Sequence, residues 1–147
     1  MSVKTNADKL VNISVMGEIS APAMPPLPAS PYALSSEGQP FLLPAWGSIV
    51  YNVSVGDTAY GWLADCIHPG VSVNIKDGMG NNGLNILSCV GNVAMVMTGN
   101  AKGAKGAVTG KSGRFSEQVI LHFDQATREQ MSIGDKIVIR AKGVGMQ

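Results

Sequence analysis

The residue types that most often carry out proton transfer are concentrated in one short stretch of this sequence. Residues 57–77 read DTAYGWLADCIHPGVSVNIKD, which places Asp65, Cys66 and His68 within four positions. A histidine can serve as a general base when a carboxylate orients its ring, and a cysteine can serve as a nucleophile or a metal ligand. We therefore treat Asp65 and His68 as a candidate catalytic pair, in which Asp65, or alternatively Asp77, would orient the histidine.

The same stretch also has a purely structural interpretation. Asp65 and His68 precede Pro69-Gly70, a dipeptide typical of turns, so that His68 would bond to backbone and Cys66 would pack. A Cys-x-His pair without a second pair lacks the ligand spacing of a zinc site. The sequence accordingly predicts no metal site and specifies no cofactor.

A second candidate site lies in residues 99–111, GNAKGAKGAVTGK, which hold glycines and lysines but no acidic residue. Backbone N–H groups of Gly-rich turns can form a concave nest for an anion, and flanking lysines add positive charge. We expect Gly103 and Gly106 to shape such a turn, with Lys102, Lys105 and Lys111 binding a small anionic ligand. The glycine order differs from that of a Walker loop, and a tight turn that binds nothing is the simpler alternative.

Residues 96–111, VMTGNAKGAKGAVTGK, resemble the KOW motif of ribosomal and transcription-factor proteins, in which a Lys-Gly turn joins two strands of an SH3-like barrel. The resemblance implies that Lys102, Lys105 and Lys111 would contact RNA phosphates. However, the formal net charge is only +1, and aromatic residues make up 5% of the chain. Both values argue against RNA as the main partner, because RNA-binding domains are usually basic and stack bases on aromatic rings.

The chain has few charged residues for its length. Of its 147 residues, 14% are charged and 45% are hydrophobic, whereas soluble domains usually have about 25% charged residues. Either much of the surface is covered, in a homo-oligomer or by a C-terminal partner domain, or the exterior consists of Gly, Ser, Asn and Thr. We expect the first arrangement.

The composition also bears on the compartment. Two cysteines are too few for a disulfide framework, which favours a reducing environment. The first ten residues, MSVKTNADKL, lack the apolar segment of a signal peptide, and no apolar run approaches the roughly 18 residues that span a membrane. We therefore expect a soluble cytoplasmic protein without membrane contacts.

Short β-rich runs separated by turn residues recur along the chain. Strands are predicted at residues 10–15, 41–43, 49–55, 119–123 and 137–141, the first of them ended by Gly17. Residues 77–83, DGMGNNG, are predicted to form a turn, and residues 85–97 a hairpin or a bulged strand pair. The Pro-rich residues 21–31 are predicted to form a strap across the domain.

Further turn and cap signals complete the predicted architecture. Gly56-Asp57 and Gly134-Asp135 are each predicted to be structural turns into a strand. Asp124 is predicted to cap a short helix. The whole pattern predicts a single mainly β domain over residues 1–147, a small barrel or sandwich of short strands with one short helix near residues 125–131.

Five segments carry a resemblance to a known family: KTNADKLVNISVMGEIS (residues 4–20), residues 51–70, NNGLNILSCVGN (81–92), GNAKGAKGAVTGKSG (99–113) and IGDKIVIRAKGVG (133–145). On these segments the chain resembles the N-terminal half of an uncharacterised prokaryotic family catalogued as domain of unknown function 4438. The resemblance implies a longer architecture with a C-terminal half, and it supplies no activity, cofactor or catalytic residue. A surface that meets a second half would be poor in charge.

Three functional hypotheses remain open at this point. The leading one is a non-catalytic binding or structural module that self-associates or packs against a partner subunit or domain. The alternative is a metabolic enzyme for a small polar or anionic substrate at a subunit boundary, with Lys102 or Lys105 binding the anion while Asp65 and His68 transfer a proton. The third is RNA binding through the KOW-like turn.

Overall fold

A computed structural model of the chain describes residues 4–10, 12–21, 32–42, 50–52, 55, 66–113 and 118–142. In chain order the elements are a 3-10 helix (Ala7–Lys9), β1 (Asn12–Ile19), β2 (Tyr32–Leu34), β3 (Pro40–Leu42), β4 (Val50–Asn52), β5 (Cys66–His68), β6 (Val71–Asn74), α1 (Gly78–Leu87), β7 (Val93–Val96), β8 (Lys105–Ser112), β9 (Gln118–His122), α2 (Gln125–Gln130) and β10 (Lys136–Lys142). The predicted Pro-rich strap at residues 21–31 lies outside the described residues except for Ala21.

Six of the strands close into an antiparallel barrel. The strand order is β1-β10-β7-β8-β9-β6, and β6 pairs with β1 to complete the circle. β7, β8 and β9 form a meander, while β6, which precedes them in the chain, pairs with β9, so that these four strands form a Greek key. The prediction of a mainly β barrel is confirmed.

The interior of the barrel is filled by alternate residues of its strands. Val71 and Val73 of β6 are fully buried, and so are their cross-strand partners on β9, Leu121 and Val119. Since side chains alternate between the two faces of a strand, Ser72 lies on the outer face of the barrel. The polar side chain of β6, that of Ser72, is therefore on the outside of the barrel.

Two smaller strand pairs accompany the barrel. β2 and β3 form an antiparallel hairpin, whereas β4 and β5 pair in parallel. β5 is followed at once by Pro69-Gly70 and then by β6, so the parallel pair is joined to the barrel through one short turn. Because this connection is short, His68, the last residue of β5, lies close to the start of β6.

Between β6 and β7 the chain forms α1, although the sequence predicted a turn and then a hairpin. The Asp77 carboxylate caps the helix by accepting a hydrogen bond from the Gly80 N–H at 2.6 Å. Leu84 is buried against the barrel at Gly17, where an added Cβ would lie 3.0 Å from the leucine Cδ2. The prediction was wrong because three glycines lower the helix propensity of this segment, and the cap and the packing of Leu84 outweigh that loss.

The predicted end of the first strand at Gly17 was also wrong. β1 continues to Ile19 and stays paired with β10 from Asn12 to Glu18. Gly17 does not turn the chain, because its missing side chain instead makes room for α1 and for the Asn74 carbonyl oxygen, which would lie 3.1 Å from an added Cβ. A glycine required by packing resembles a turn glycine in the sequence.

Two of the predicted local signals are confirmed. Asp124 caps α2 by accepting a hydrogen bond from the Thr127 N–H at 2.8 Å, so the described residues contain the predicted short helix and α1 in addition. Gly134 has a φ of +89°, and the buried Asp135 accepts a hydrogen bond from the Ser132 N–H at 2.9 Å. The second predicted Gly-Asp turn, at residues 56–57, lies outside the described residues.

Candidate functional site

One histidine and two serines meet on the outside of the barrel. His68 Nδ1 is hydrogen-bonded to the Ser72 hydroxyl, and His68 Nε2 lies 2.8 Å from the Ser112 hydroxyl oxygen. We call these three residues the histidine cluster. His68 is 5% exposed and Ser72 only 1%, whereas Ser112 is part-buried. The histidine ring is thus enclosed, while one of its two hydroxyl partners is open to solvent on one side.

The strand order explains how the cluster forms. Ser72 lies on β6 and Ser112 lies on β8, and β9 runs between those two strands. The imidazole therefore spans β9 from one neighbouring strand to the other. The turn that leads into β6 passes very close to β9, since an added Cβ on Gly70 would lie 2.3 Å from the Leu121 carbonyl oxygen. Only a residue without a Cβ lets the chain approach the barrel here.

The protonation state of the cluster follows from its burial. Burial lowers the pKa of His68, because a charged imidazolium would lose its hydration. His68 is therefore neutral at neutral pH, so that one ring nitrogen donates a hydrogen bond and the other accepts one. A serine hydroxyl can take either role. The cluster can hold a proton at Nδ1 and accept one at Nε2, which is the behaviour of a general base.

The hydrogen-bond partners of His68 in the structure differ from the carboxylates that the sequence predicted. Serine hydroxyls occupy both ring nitrogens, and Asp77, the alternative orienting carboxylate, instead caps α1. Asp65 lies outside the described residues, so its pairing with His68 stays a prediction. Sequence reasoning missed Ser72 and Ser112. Serine is too common to stand out, and Ser112 lies 44 positions from His68, so no local signal could have joined them.

The three lysines of the Gly-Lys turn are exposed, but the fold does not gather them. Lys102 and Lys105 lie beside the β7–β8 turn. Lys111 lies six residues further along β8, a distance of about 20 Å at the rise of a β-strand. A single small anion therefore cannot contact Lys111 together with the other two. Anion binding by Lys102 and Lys105 stays a prediction.

Backbone N–H groups of this turn are already hydrogen-bonded within the protein. Those of Lys102, Gly103 and Ala104 donate to carbonyls of the turn and of the end of β7, at 3.3, 2.8 and 3.0 Å. Gly103 has a φ of +91°, as a turn glycine requires. Gly106 lies in β8, where an added Cβ would lie 2.3 Å from the His122 carbonyl oxygen. These glycines have structural reasons to be glycine that do not involve an anion.

A third exposed feature is apolar. The outward side of α1 carries Met79 and Ile86, with Gly83 and the exposed polar Asn82 between them on the same face, and Val90 follows shortly after the helix ends. Met79 is 84% exposed, and Ile86 and Val90 are each 74% exposed. An added Cβ on Gly83 would meet nothing within 4 Å. We call Met79, Gly83, Ile86 and Val90 the α1 stripe. Exposed apolar residues grouped on one side of an element mark a contact surface more often than scattered exposed residues do.

A shallow groove lies at the start of α1. It has a volume of about 330 Å³ and is lined by Met16, Gly17, Glu18, Ile75, Lys76, Asp77 and Lys136. Its two carboxylates and two ammonium groups cancel in charge, so the groove does not select a ligand of one sign. It gives no additional support to the prediction of a small anionic ligand.

Residues 66–113, 118–142 and the shorter described ranges contain no group of three or more His, Cys, Asp or Glu residues arranged to hold a metal ion. In that same part of the chain, no helix has both the length and the apolar character needed to cross a membrane.

These observations define a small closed-barrel domain with a buried histidine cluster on its wall and an exposed apolar helix beside it. The family described as "Domain of unknown function (DUF4438), N-terminal" matches residues 32–147, and the chain belongs to this family. The resemblance predicted from the sequence is thereby confirmed.

The chain is similar to the crystal structure of TM1086, with 44% sequence identity and a TM-score of 0.69. The match covers 98% of this chain and 49% of TM1086, so the chain spans about half the length of that relative. No curated protein matches the chain.

Proposed function

We propose that this domain is a docking module, which packs through the α1 stripe against a second domain of its family's architecture. The observation that carries the proposal is the exposure of Met79 and Ile86 on α1 and of Val90 shortly after it, while Leu84 on the other side of the helix is buried. The proposed occupant is a domain of the kind that makes up the half of TM1086 beyond the match. This choice agrees with the 49% coverage of TM1086.

The charge distribution supports a covered surface. Residues 78–101 contain no Asp, Glu, Lys or Arg, and this segment includes all of α1 and β7. Charged residues are depleted at the centres of protein interfaces, because removing a charge from water is costly unless it finds a partner. The part of this uncharged segment that is exposed, on the outer side of α1, is suited to contact with another protein surface.

The energetics of the α1 stripe are sufficient for docking within one polypeptide. Burying a large apolar side chain such as Met79 or Ile86 contributes about 1.5–3 kcal/mol. Contacts between domains of one chain commonly bury about 600–1,500 Å² and do not carry the full entropic cost of association. Leu84 already packs on the barrel from the opposite side of α1. The helix would then be enclosed between two domains.

The test uses light scattering on the purified chain, alone and mixed with the half of TM1086 that lies outside the match. The variants are Met79→Asp and Ile86→Asp. The matched control is Leu34→Asp, because Leu34 is 72% exposed but lies on the β2–β3 hairpin. TM1086's own matched half serves as the positive reference.

We expect a 1:1 complex that Met79→Asp and Ile86→Asp weaken at least tenfold and that the control leaves intact. Binding that is insensitive to these changes would contradict the proposal. If the chain alone forms a dimer that Ile86→Asp dissociates, the α1 stripe binds a second copy, and the two-domain proposal is wrong.

A further inference from the structure

We propose that Ser112 and His68 form a nucleophile–base pair that cleaves small carboxylic esters, with Ser72 as the residue that positions the histidine. This activity is independent of the docking function, because the residues involved lie on β5, β6 and β8 and not on α1.

The geometry has the parts that such a pair needs. An activated serine requires a base within hydrogen-bond reach, and a third group must hold the base in the right orientation. Ser112 Oγ lies 2.8 Å from His68 Nε2, and Ser72 holds the opposite ring nitrogen. The ring is neutral at neutral pH because burial lowers the pKa of His68. A neutral ring leaves Nε2 free to accept the serine proton.

Ser112 is the more exposed member of the pair. It is the last residue of β8 and is only part-buried, in contrast to the enclosed His68. The chain turns immediately after it, at Gly113, which has a φ of +98°. We expect a substrate to approach the pair from the side of Ser112.

The reaction follows ordinary acyl transfer. The Ser112 oxygen attacks the ester carbonyl carbon, and its proton passes to His68 Nε2. The tetrahedral intermediate collapses by breaking the bond to the alcohol oxygen, which leaves with the proton from Nε2. Water then attacks the acyl-serine and gives a proton to Nε2. The second tetrahedral intermediate collapses by breaking the bond between the acyl carbon and the Ser112 oxygen, which takes the proton back from Nε2 as the carboxylic acid leaves. The net reaction is ester plus water to acid plus alcohol.

A hydroxyl in place of the usual orienting carboxylate limits the expected rate. Ser72 can accept a hydrogen bond from the Nδ1–H and so hold the required tautomer, but it carries no negative charge to stabilise the imidazolium that forms. The pair is therefore suited to activated esters with good leaving groups. This sets the choice of probe.

The experiment combines fluorophosphonate labelling, read by peptide mass spectrometry, with hydrolysis of p-nitrophenyl acetate. We expect one labelled site, Ser112, and a loss of about 100-fold or more in both rates for Ser112→Ala and His68→Gln. The matched control is Ser36→Ala, since Ser36 is an exposed serine on the β2–β3 hairpin connection. Circular dichroism of each variant shows whether the barrel is retained.

The positioning role has its own readout. Ser72→Ala is expected to lower kcat at least tenfold with little change in KM, and Ser72→Thr, which keeps the hydroxyl, is expected to restore it. A purely structural serine would not show this rescue. The proposal is overturned if folded protein is not labelled at Ser112, or if folded Ser112→Ala hydrolyses the ester as fast as the parent. Should His68→Gln fail to fold, the Ser112→Ala result decides alone.

Discussion

Two glycine-rich segments of this chain, residues 77–83 and residues 99–106, have similar compositions but different secondary structures. The first, DGMGNNG, enters α1, whereas the second, GNAKGAKG, forms the turn between β7 and β8 and the start of β8. Both contain three glycines and no large aromatic residue. The number of glycines therefore does not decide between helix and turn.

The difference lies in backbone conformation and in what surrounds each glycine. Gly99 and Gly103 have φ values of +75° and +91°, and none of the α1 glycines has a positive φ. Asp77 caps α1, and the buried Leu84 ties the helix to the barrel. A cap and one well-placed apolar residue are enough to make a helix of a segment with low intrinsic propensity, provided that a surface is present to pack against.

The largest effect is expected at Gly106, the glycine of the second segment that the barrel encloses. Gly106→Ala would place a Cβ 2.3 Å from the His122 carbonyl oxygen and 2.7 Å from the Phe123 ring. We expect the free energy of unfolding to fall by about 3 kcal/mol, measured by urea denaturation. The control is Gly110→Ala on the same strand, whose added Cβ would meet nothing within 4 Å. Equal losses for the two variants would contradict the steric explanation.

The cap of α1 is the next test. Asp77→Ala removes the acceptor for the Gly80 N–H, and we expect a loss of about 1 kcal/mol in the free energy of unfolding. Asp77→Asn keeps a side-chain oxygen at the N-cap and should retain most of the stability. If Asp77→Ala is as stable as the parent, the packing of Leu84 alone forms the helix, and the cap has no part in separating the two segments.

Adding a methyl group to the first segment is expected to be stabilising. Gly83→Ala lies on the open face of α1 and should raise the free energy of unfolding by about 0.5 kcal/mol, because alanine loses less backbone entropy on folding. Gly91→Ala is the matched control. It also meets nothing within 4 Å, but its φ is +88°, so the same substitution should destabilise the protein. A gain at both positions would show that φ is unimportant here.

A change of pH tests a third region without altering either glycine segment. Burial lowers the pKa of His68, so the unfolded chain binds more protons than the folded chain at mildly acidic pH. The contribution of His68 to stability is complete above about pH 6.5 and declines as the pH falls through the folded pKa. In His68→Gln this part of the pH dependence should be absent from thermal denaturation curves between pH 4 and 7. If the stability of His68→Gln depends on pH as strongly as that of the parent, other titratable groups cause this dependence.

The parts of the fold that the sequence predicted well are those decided by neighbouring residues. Asp124 was recognised as a cap because the residue it bonds, Thr127, lies only three positions away. The turn at Gly134-Asp135 was recognised for the same reason. Each of these depends on spacing that a short window of sequence contains.

The predictions that failed depended on distant partners. Gly17 was interpreted as the end of a strand, yet its role is to admit Leu84, 67 positions away. The segment 77–83 was interpreted as a turn because the barrel surface that supports α1 is not visible in local sequence. Of the candidate catalytic pair, His68 is hydrogen-bonded to two serine hydroxyls, and neither serine was predicted.

By itself the sequence determined a mainly β domain, the position of α2, several turns and the family to which the chain belongs. These follow from alternation, from caps and from short motifs, all of which act over a few residues. Only the tertiary structure decided that His68 meets Ser72 and Ser112 and that the outer face of α1 is left apolar and exposed. The physical reason is that strand pairing across β6, β9 and β8 joins residues 44 positions apart, whereas local preferences act along the chain.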